Sequence, residues 1–318
     1  MLIETPLGTW TSKVVFGGHD RAEQSPGLPD AVTKVVAHAA LPPSEDDGFH
    51  PPGGRLFDQP ALYDNVFGWD PGAELDFIMS VTEVGRLVEF GCGSGRLLIP
   101  LLEHGYQVDG VDSSSAALNH LAAKVGGLRR GRARLVLGDL AEVALLPCYP
   151  TAVAALNTMR YLPSTDAVAA HLRRAAMSVE SGGRYLVHLD SFGTDLVERP
   201  HPGEYAEWEG FGDSDKKVMV RWELAERQPR SDYDLEIERV RVWCDGKPIV
   251  DELQSQLSLA ISGWCTLFAS EGLWSVHSVV DADELQPLDA QHQRRAASGN
   301  YWFVLDRTDI AAPALYDA

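Results

Sequence analysis

The run Leu87-Val88-Glu89-Phe90-Gly91-Cys92-Gly93-Ser94-Gly95-Arg96 sets three alternate glycines behind an apolar stretch that ends on a carboxylate and a phenylalanine. That pattern reads as a strand, a nucleotide-binding turn and a helix start. Glycine lets the backbone turn sharply and lets a ligand lie against main-chain N–H groups where a Cβ would intrude. The dinucleotide fingerprint places its third glycine one position later and closes on a pyrophosphate. Here the spacing is G-x-G-x-G and position 96 is arginine, so a nucleoside ligand is expected and a nicotinamide cofactor is disfavoured.

Glu89 to Arg96 resembles motif I of class I S-adenosylmethionine-dependent methyltransferases, whose glycine loop lies under the amino acid part of the cofactor. Two further runs fall in that family's order. Val108-Asp109-Gly110-Val111-Asp112-Ser113 resembles its second strand, which ends on an acidic residue, and Leu135-Val136-Leu137-Gly138-Asp139-Leu140 resembles its third strand end. The resemblance implies that the Asp112 carboxylate accepts both ribose hydroxyl protons and that Asp139 meets the adenine amino group. It implies a cofactor set of Glu89, Gly91, Cys92, Gly93, Gly95, Asp112, Ser113, Asp139, Leu140 and Asn157, with S-adenosylhomocysteine as product. Taken one at a time, these residues have plainer readings: Asp112 suits a helix cap, Asp139 a turn, and Cys92 a small side chain that fits the loop. The run from Ala61 to Asp70 resembles the first helix of small-molecule methyltransferases related to antibiotic sugar N,N-dimethyltransferases and glycine N-methyltransferases. In those the first tyrosine reaches the cofactor carboxylate, which by position is Tyr63.

In a doubly wound sheet, ligands gather at the carboxyl ends of the strands. Asn157, Arg160 and Tyr161 follow the fourth strand, and His188 and Asp190 end the fifth, so these are candidates to meet the methyl acceptor. His188 and Asp190 are the expected catalytic pair, as base or orienting group, and Arg160 suits an acidic acceptor. Arg160, Tyr161, Trp208 and Trp222 are the expected substrate contacts. Each also has a structural reading. His188 lies between Val187 and Leu189 and fits a hydrogen-bonded core histidine equally well. Asp190 fits a turn cap, Arg160 and Tyr161 a packed edge, and the tryptophans a core.

The elements that must position these residues follow from periodicity. Residues 1–60 are rich in glycine and proline, with one helix-like run near 31–39, and read as an N-terminal extension or lid. From Ala61, apolar residues recur at helical spacing up to the first strand. Strands and helices then alternate to residue 193, with a helix from Leu97 to His104, a fourth strand from Thr151 to Leu156, a turn at Ser181-Gly182-Gly183 and a fifth strand from Arg184 to Leu189. This gives a doubly wound, mostly parallel, seven-stranded Rossmann-like α/β sheet. Residues 194–259 alternate apolar and polar side chains and carry Asp245-Gly246, a hairpin turn, which predicts an antiparallel insertion of three or so strands. Residues 260–318 complete the core with a helix near Ile261 to Ser270 and strands at Trp274 to Val280 and Tyr301 to Asp306, the last inserting antiparallel as in the family resembled.

Length and composition bound the rest. At 318 residues the chain fits one large domain with additions, and a formal charge of −19 with Arg129, Arg130, Arg132 and Arg134 as its only basic cluster makes nucleic acid an unsuitable partner. Four cysteines without C-x-x-C spacing and ten histidines without an H-x-x-x-H pair disfavour zinc or a disulfide framework. No apolar run approaches spanning length, so a cytoplasmic protein with no membrane partner is expected, with homodimerisation left open. The expected function is methylation of oxygen or nitrogen on a small metabolite, in the manner of natural-product enzymes. Two alternatives stand beside it: a non-methylating enzyme that keeps the same cofactor, and a cofactor-binding regulator without turnover.

Overall fold

The computed structural model describes residues 55–126, 133–143, 145, 149–195, 199–210 and 218–309. The expected helix near 31–39 and most of the expected lid lie outside the described residues. The described chain begins with two helices, α1 (Pro60–Val66) and α2 (Gly72–Val81), and enters the sheet through β1 (Arg86–Phe90). There follow α3 (Leu98–Glu103), β2 (Gln107–Asp112), α4 (Ser115–Val125), β3 (Ala133–Leu137), β4 (Tyr149–Ala154), α5 (Thr165–Ser178) and β5 (Val179–Ser191). The insertion comprises β6 (Tyr205–Glu209), β7 (Val218–Pro229), β8 (Asp234–Cys244) and β9 (Lys247–Ser258), after which α6 (Ile261–Ala269), β10 (Trp274–Asp281), α7 (Ala290–Arg295) and β11 (Gly299–Arg307) close the core.

The seven-stranded sheet runs β10-β11-β5-β4-β1-β2-β3. Its pairs are parallel except those of β11, which is antiparallel to both β5 and β10, as expected. Successive side chains of a strand point to opposite faces. Val88, Phe90, Ala152, Ala154, Val187 and Leu189 accordingly join the core under α5 and α6, while Leu87, Val153, Leu186, Trp302 and Val304 join the core under α2, α3 and α4. Covered on both faces, the central strands need near-continuous apolar sequence, and they have it.

Among its described residues the insertion holds four antiparallel strands rather than three or so, in the order β6-β7-β8-β9. Asp245 (φ 49°) and Gly246 (φ 75°) both sit in the left-handed region, the backbone of the hairpin turn expected there. Its inner face changes character along its length. Near that hairpin Val240, Val242 and Val250 pack with Leu56 and Val66, whereas further along the same faces of β8 and β9 come Glu236, Glu252, Gln254 and Gln256, all buried. An inner sheet face that turns from apolar to buried polar is built to line a site.

Three local expectations need correction. The expected turn Ser181-Gly182-Gly183 is a bulge inside β5: Tyr149 pairs with Val179 and Thr151 already with Arg184, so the strand starts five residues earlier than its apolar run suggested. The fourth strand ends at Ala154, because Leu156 (φ 47°) and Asn157 (φ 64°) turn left-handed. A short helix, α7, stands between the two last strands where none was expected. The antiparallel β11 completes the core through fully buried Phe303, which lies edge-on to Phe268 at 5.4 Å. Phe303→Ala is expected to cost about 3–5 kcal/mol, read as a lower denaturation midpoint in urea with an unchanged slope.

Candidate active site

The three loop glycines have positive φ: Gly91 at 74°, Gly93 at 51° and Gly95 at 90°. Their surroundings differ. A Cβ on Gly91 would fall 2.4 Å from Thr158 Cγ2 and one on Gly95 2.3 Å from Leu121 Cδ1, so these two are glycine for the fold itself. A Cβ on Gly93 would meet only Tyr63 Cε1, at 4.0 Å, so this glycine faces open space. Gly93 N–H donates to Asp112 Oδ2 at 2.7 Å and Ser114 N–H to Oδ1 at 2.8 Å. Asp112 is thus the joint between β2 and the loop, while the helix cap it might have supplied comes from Ser114, whose Oγ accepts Ala117 N–H. Burial pushes the Asp112 carboxyl up against the pull of those N–H groups. Ser113 is exposed beside it, and the Cys92 side chain is buried behind the loop, where a Cβ on Gly110 would meet its Sγ.

Tyr63 is held over Gly93 by its neighbour. Asp64 accepts from Ser94 Oγ, from His120 Nε2 at 2.7 Å and from Lys124 Nζ at 2.9 Å, tying α1 to the glycine loop and to α4. Desolvation by the surrounding chain raises the Tyr63 phenol well above its usual range, so it stays protonated. At the end of β3, Asp139 Oδ1 accepts Ala141 N–H at 2.7 Å. The Leu140 carbonyl meets His171 Nδ1 at 3.0 Å, and burial lowers that ring to about 4. A neutral ring that donates from Nδ1 must accept at Nε2, which lies 2.6 Å from the Tyr185 hydroxyl.

The ends of β4 and β5 are locked together. Asn157 N–H donates to the His188 carbonyl at 3.1 Å, and Asn157 Oδ1 accepts Asp190 N–H at 2.5 Å. Arg160 is 3% exposed and fully engaged: Nε to the Leu257 carbonyl at 2.8 Å, NH1 to Asp190 Oδ2 at 3.2 Å and NH2 to Glu236 Oε2 at 2.8 Å. Tyr161 OH lies between Gln254 and Gln256, and Gln256 Nε2 also donates to Glu238 at 2.7 Å. Trp222 Nε1 donates to the same carboxylate, and Trp208 Nε1 to the Val66 carbonyl at 2.9 Å. Desolvation, opposed by Arg160, leaves Asp190 at about 6 and Glu238 at about 7.

Of the residues expected from sequence, Tyr63, Gly93, Asp112 and Glu89 converge on one side of the loop, and Asp190, Arg160, Tyr161 and Trp222 converge with the insertion. His188 and Asp190 meet different partners. The His188 ring stacks on Trp302 at 4.8 Å with Nδ1 3.6 Å from Glu74 Oε1, and burial lowers its pKa. Arg160 is spent on protein carboxylates rather than held ready for an acidic acceptor. Sequence reasoning passed over Glu74, Glu236, Glu238, Gln254 and Gln256. The last four had a signal: acids and amides two apart on adjacent strands share one face.

The residues fit a cofactor with a ribose and a charged amino acid end. Buried Glu89 has an unpartnered Oε2, and desolvation raises it to about 8, a condition that a cationic ligand group would relieve. Gly93 leaves the space, and Asp112 supplies the carboxylate at its edge.

Residues 88–184 match the family described as a methyltransferase domain. No curated protein matches the chain. Among solved structures, an S-adenosylmethionine-dependent methyltransferase from Clostridium acetobutylicum is 16% identical, with a TM-score of 0.59 over 78% of this chain and 97% of its own. The CcbJ methyltransferase of Streptomyces caelestis is 22% identical, with a TM-score of 0.57 over 76% and 90%. The sugar N-methyltransferase KedS8 from a Streptoalloteichus species is 14% identical, with a TM-score of 0.58 over 86% and 100%. The chain thus shares the fold of S-adenosylmethionine-dependent methyltransferases, and residues 88–184 resemble a methyltransferase domain. Among the described residues no helix is long and apolar enough to cross a membrane, and no cluster suits a metal ion.

The raised Glu89 carboxyl makes stability depend on pH. Between its ordinary value of 4.5 and about 8, the folded state binds a proton that the unfolded state has lost, so this contribution is present below 4.5 and lost as pH rises through about 8. The ligand-free protein should therefore melt at lower temperature at pH 8 than at pH 6. Glu89→Gln, which removes the titration, should flatten that slope in differential scanning calorimetry.

Proposed function

We propose that the protein transfers a methyl group from S-adenosylmethionine to oxygen or nitrogen of a small molecule, and that the roof of its acceptor site is the polar end of the insertion. The carrying observation is the convergence of Tyr63, Glu89, open Gly93 and Asp112 at the carboxyl ends of β1 and β2, on the fold where that cofactor is used. When bound, the cofactor supplies a methyl carried on a sulfonium, so that positive charge leaves sulfur as the acceptor's lone pair forms its new bond. The protein's part is to aim and to keep water out. Asp112 takes the ribose diol, Asp139 the adenine amino group, and Tyr63 closes over the loop.

On the acceptor side, Asp190 stands at the end of β5 with about a third (34%) of its side chain open, anchored at its backbone by Asn157 and at its carboxyl by Arg160. A carboxyl near 6 is a better proton acceptor at neutral pH than an ordinary aspartate, which suits it to take the proton that an amine or hydroxyl must release. Tyr161, Glu238, Gln254, Gln256 and Trp222 form a wall of acids, amides and an aromatic. Such a wall suits a polar acceptor rich in N–H or O–H donors, consistent with the sugar N-methyltransferase among the structural neighbours. Natural-product sugars and amines are therefore the first acceptors to try.

Incubation with S-adenosylmethionine and a panel of amino sugars and phenols, read by mass spectrometry, should yield S-adenosylhomocysteine together with a methylated product. Cofactor bound but never consumed, alongside a metabolite changed without gaining a methyl, would reject methyl transfer. Asp112→Ala should weaken S-adenosylhomocysteine binding by about 1.5–3 kcal/mol, roughly tenfold or more, in calorimetry. Asp190→Asn should lower turnover about 10²- to 10⁴-fold with cofactor affinity preserved. Unchanged turnover in that variant would leave proximity alone as the account of catalysis.

A further inference from the structure

His171 stands on α5, fully buried, and is hydrogen-bonded at both ring nitrogens. The ring lies edge-on to Phe90, the residue before the first loop glycine, at 4.9 Å, and Nε2 accepts from the Tyr185 hydroxyl of β5 at 2.6 Å. Those contacts fix its orientation. The Nδ1–H that remains goes to the Leu140 carbonyl at 3.0 Å, just past the end of β3. Burial keeps the ring neutral, the state in which one nitrogen donates while the other accepts.

The Leu140 carbonyl shares its peptide plane with the Ala141 N–H. A trans peptide points the two in opposite directions. The plane that sends its oxygen inward to His171 therefore sends its N–H the other way, and that N–H donates to Asp139 Oδ1 at 2.7 Å. One rigid peptide thus carries His171 at one end and the Asp139 carboxylate at the other. The backbone on either side is held as well: Gly138 N–H donates to the Asp112 carbonyl at 3.0 Å, and the Asp139 carbonyl accepts Val143 N–H at 2.8 Å. The Asp139 charge is felt at the His171 ring. With Oδ1 engaged in the turn, Oδ2 is the oxygen for a ligand's donor.

We infer that His171 is a positioning residue for selection of the base. Through the Leu140–Ala141 peptide it sets the angle at which the Asp139 carboxylate accepts an exocyclic amino group, so a core histidine governs how sharply the site tells adenine from a base without that group. This rests on the reading of S-adenosylmethionine as cofactor and of Asp139 as its adenine contact.

The test is isothermal titration calorimetry of the full chain with two ligands that differ at the base: S-adenosylhomocysteine, and S-inosylhomocysteine, which has an oxygen in place of the amino group. The native protein should prefer S-adenosylhomocysteine by about tenfold or more. His171→Leu should weaken S-adenosylhomocysteine by about the whole of that preference while leaving S-inosylhomocysteine within about twofold, the pattern also expected of Asp139→Ala. His171→Asn, whose side-chain N–H can serve the Leu140 oxygen but which gives up Tyr185, should melt lower than the native protein yet keep most of the preference. A preference retained in His171→Leu, or lost equally in both His171 variants, would make the histidine scaffold alone and overturn the inference. Should His171→Leu not fold, the native protein decides through its imidazole nitrogen resonances: the Nδ1 signal of His171 should move with S-adenosylhomocysteine and stay with S-inosylhomocysteine. The same movement with both ligands, or none with either, overturns the inference. A native protein that binds both ligands equally removes Asp139 as the adenine contact and overturns it too, whereas one that binds neither ligand defeats the cofactor reading itself.

Discussion

Everything at this site depends on how little room the glycine loop has. Gly91 is pressed against Thr158 and Gly95 against Leu121, so neither position admits a Cβ, and the backbone must make its turns in the left-handed region where only glycine is at ease. That tightness aims the one glycine with space before it, Gly93, and brings its N–H onto Asp112. It also fixes the start of α3 and with it Arg96. Ser94, between the glycines, is taken by Asp64, so α1 cannot drift and Tyr63 stays over the loop. One tight turn thus sets the positions of residues that come from α1, β1 and β2, and of Arg96 just ahead of α3.

A second constraint holds the ends of β4 and β5 against the insertion. Arg160 is buried with Asp190, Glu236 and Glu238 around it and the Leu257 carbonyl on its Nε, joining the 3-10 turn after β4 to β5, β8 and β9. A buried ion cluster of this kind contributes less to stability than to fixing one arrangement, because desolvation offsets most of the attraction. Arg199 and Arg227 also pair with Glu236, while burial, opposed in part by Arg160, pushes Glu238 toward neutrality. The insertion is therefore anchored to the sheet through the same side chains that line its polar face.

Much of the core was legible in the sequence, for physical reasons. The glycine spacing can be satisfied in few ways, strands buried on both faces need apolar runs, and Asp245-Gly246 permits one kind of hairpin. What escaped was whatever depended on tertiary pairing. The β5 bulge looked like a turn because Ser181-Gly182-Gly183 has turn composition, and only its pairing with β4 keeps it in the strand. The sequence could not show that Arg160 would be spent on protein carboxylates, since its partners lie 30 and 76 residues away. Arg96 was visible as a departure from the dinucleotide pattern, but its ion pair is with Glu74, far off in the sequence on α2.

His188 and Asp190 show why an address at a strand end does not settle a role. Both end β5, yet His188 is stacked on Trp302 and turned toward Glu74, and burial without a full partner lowers its pKa and so weakens it as a base. Asp190 is partly open, hydrogen-bonded through its backbone to Asn157, and shifted upward toward the pH at which a proton acceptor works best. The same desolvation acts on both groups with opposite consequences, because it penalises a cation in one and an anion in the other. If the proposed methyl transfer holds, that asymmetry suits Asp190 rather than His188 to meet the acceptor's proton, while His188 sits against Glu74, the partner of Arg96.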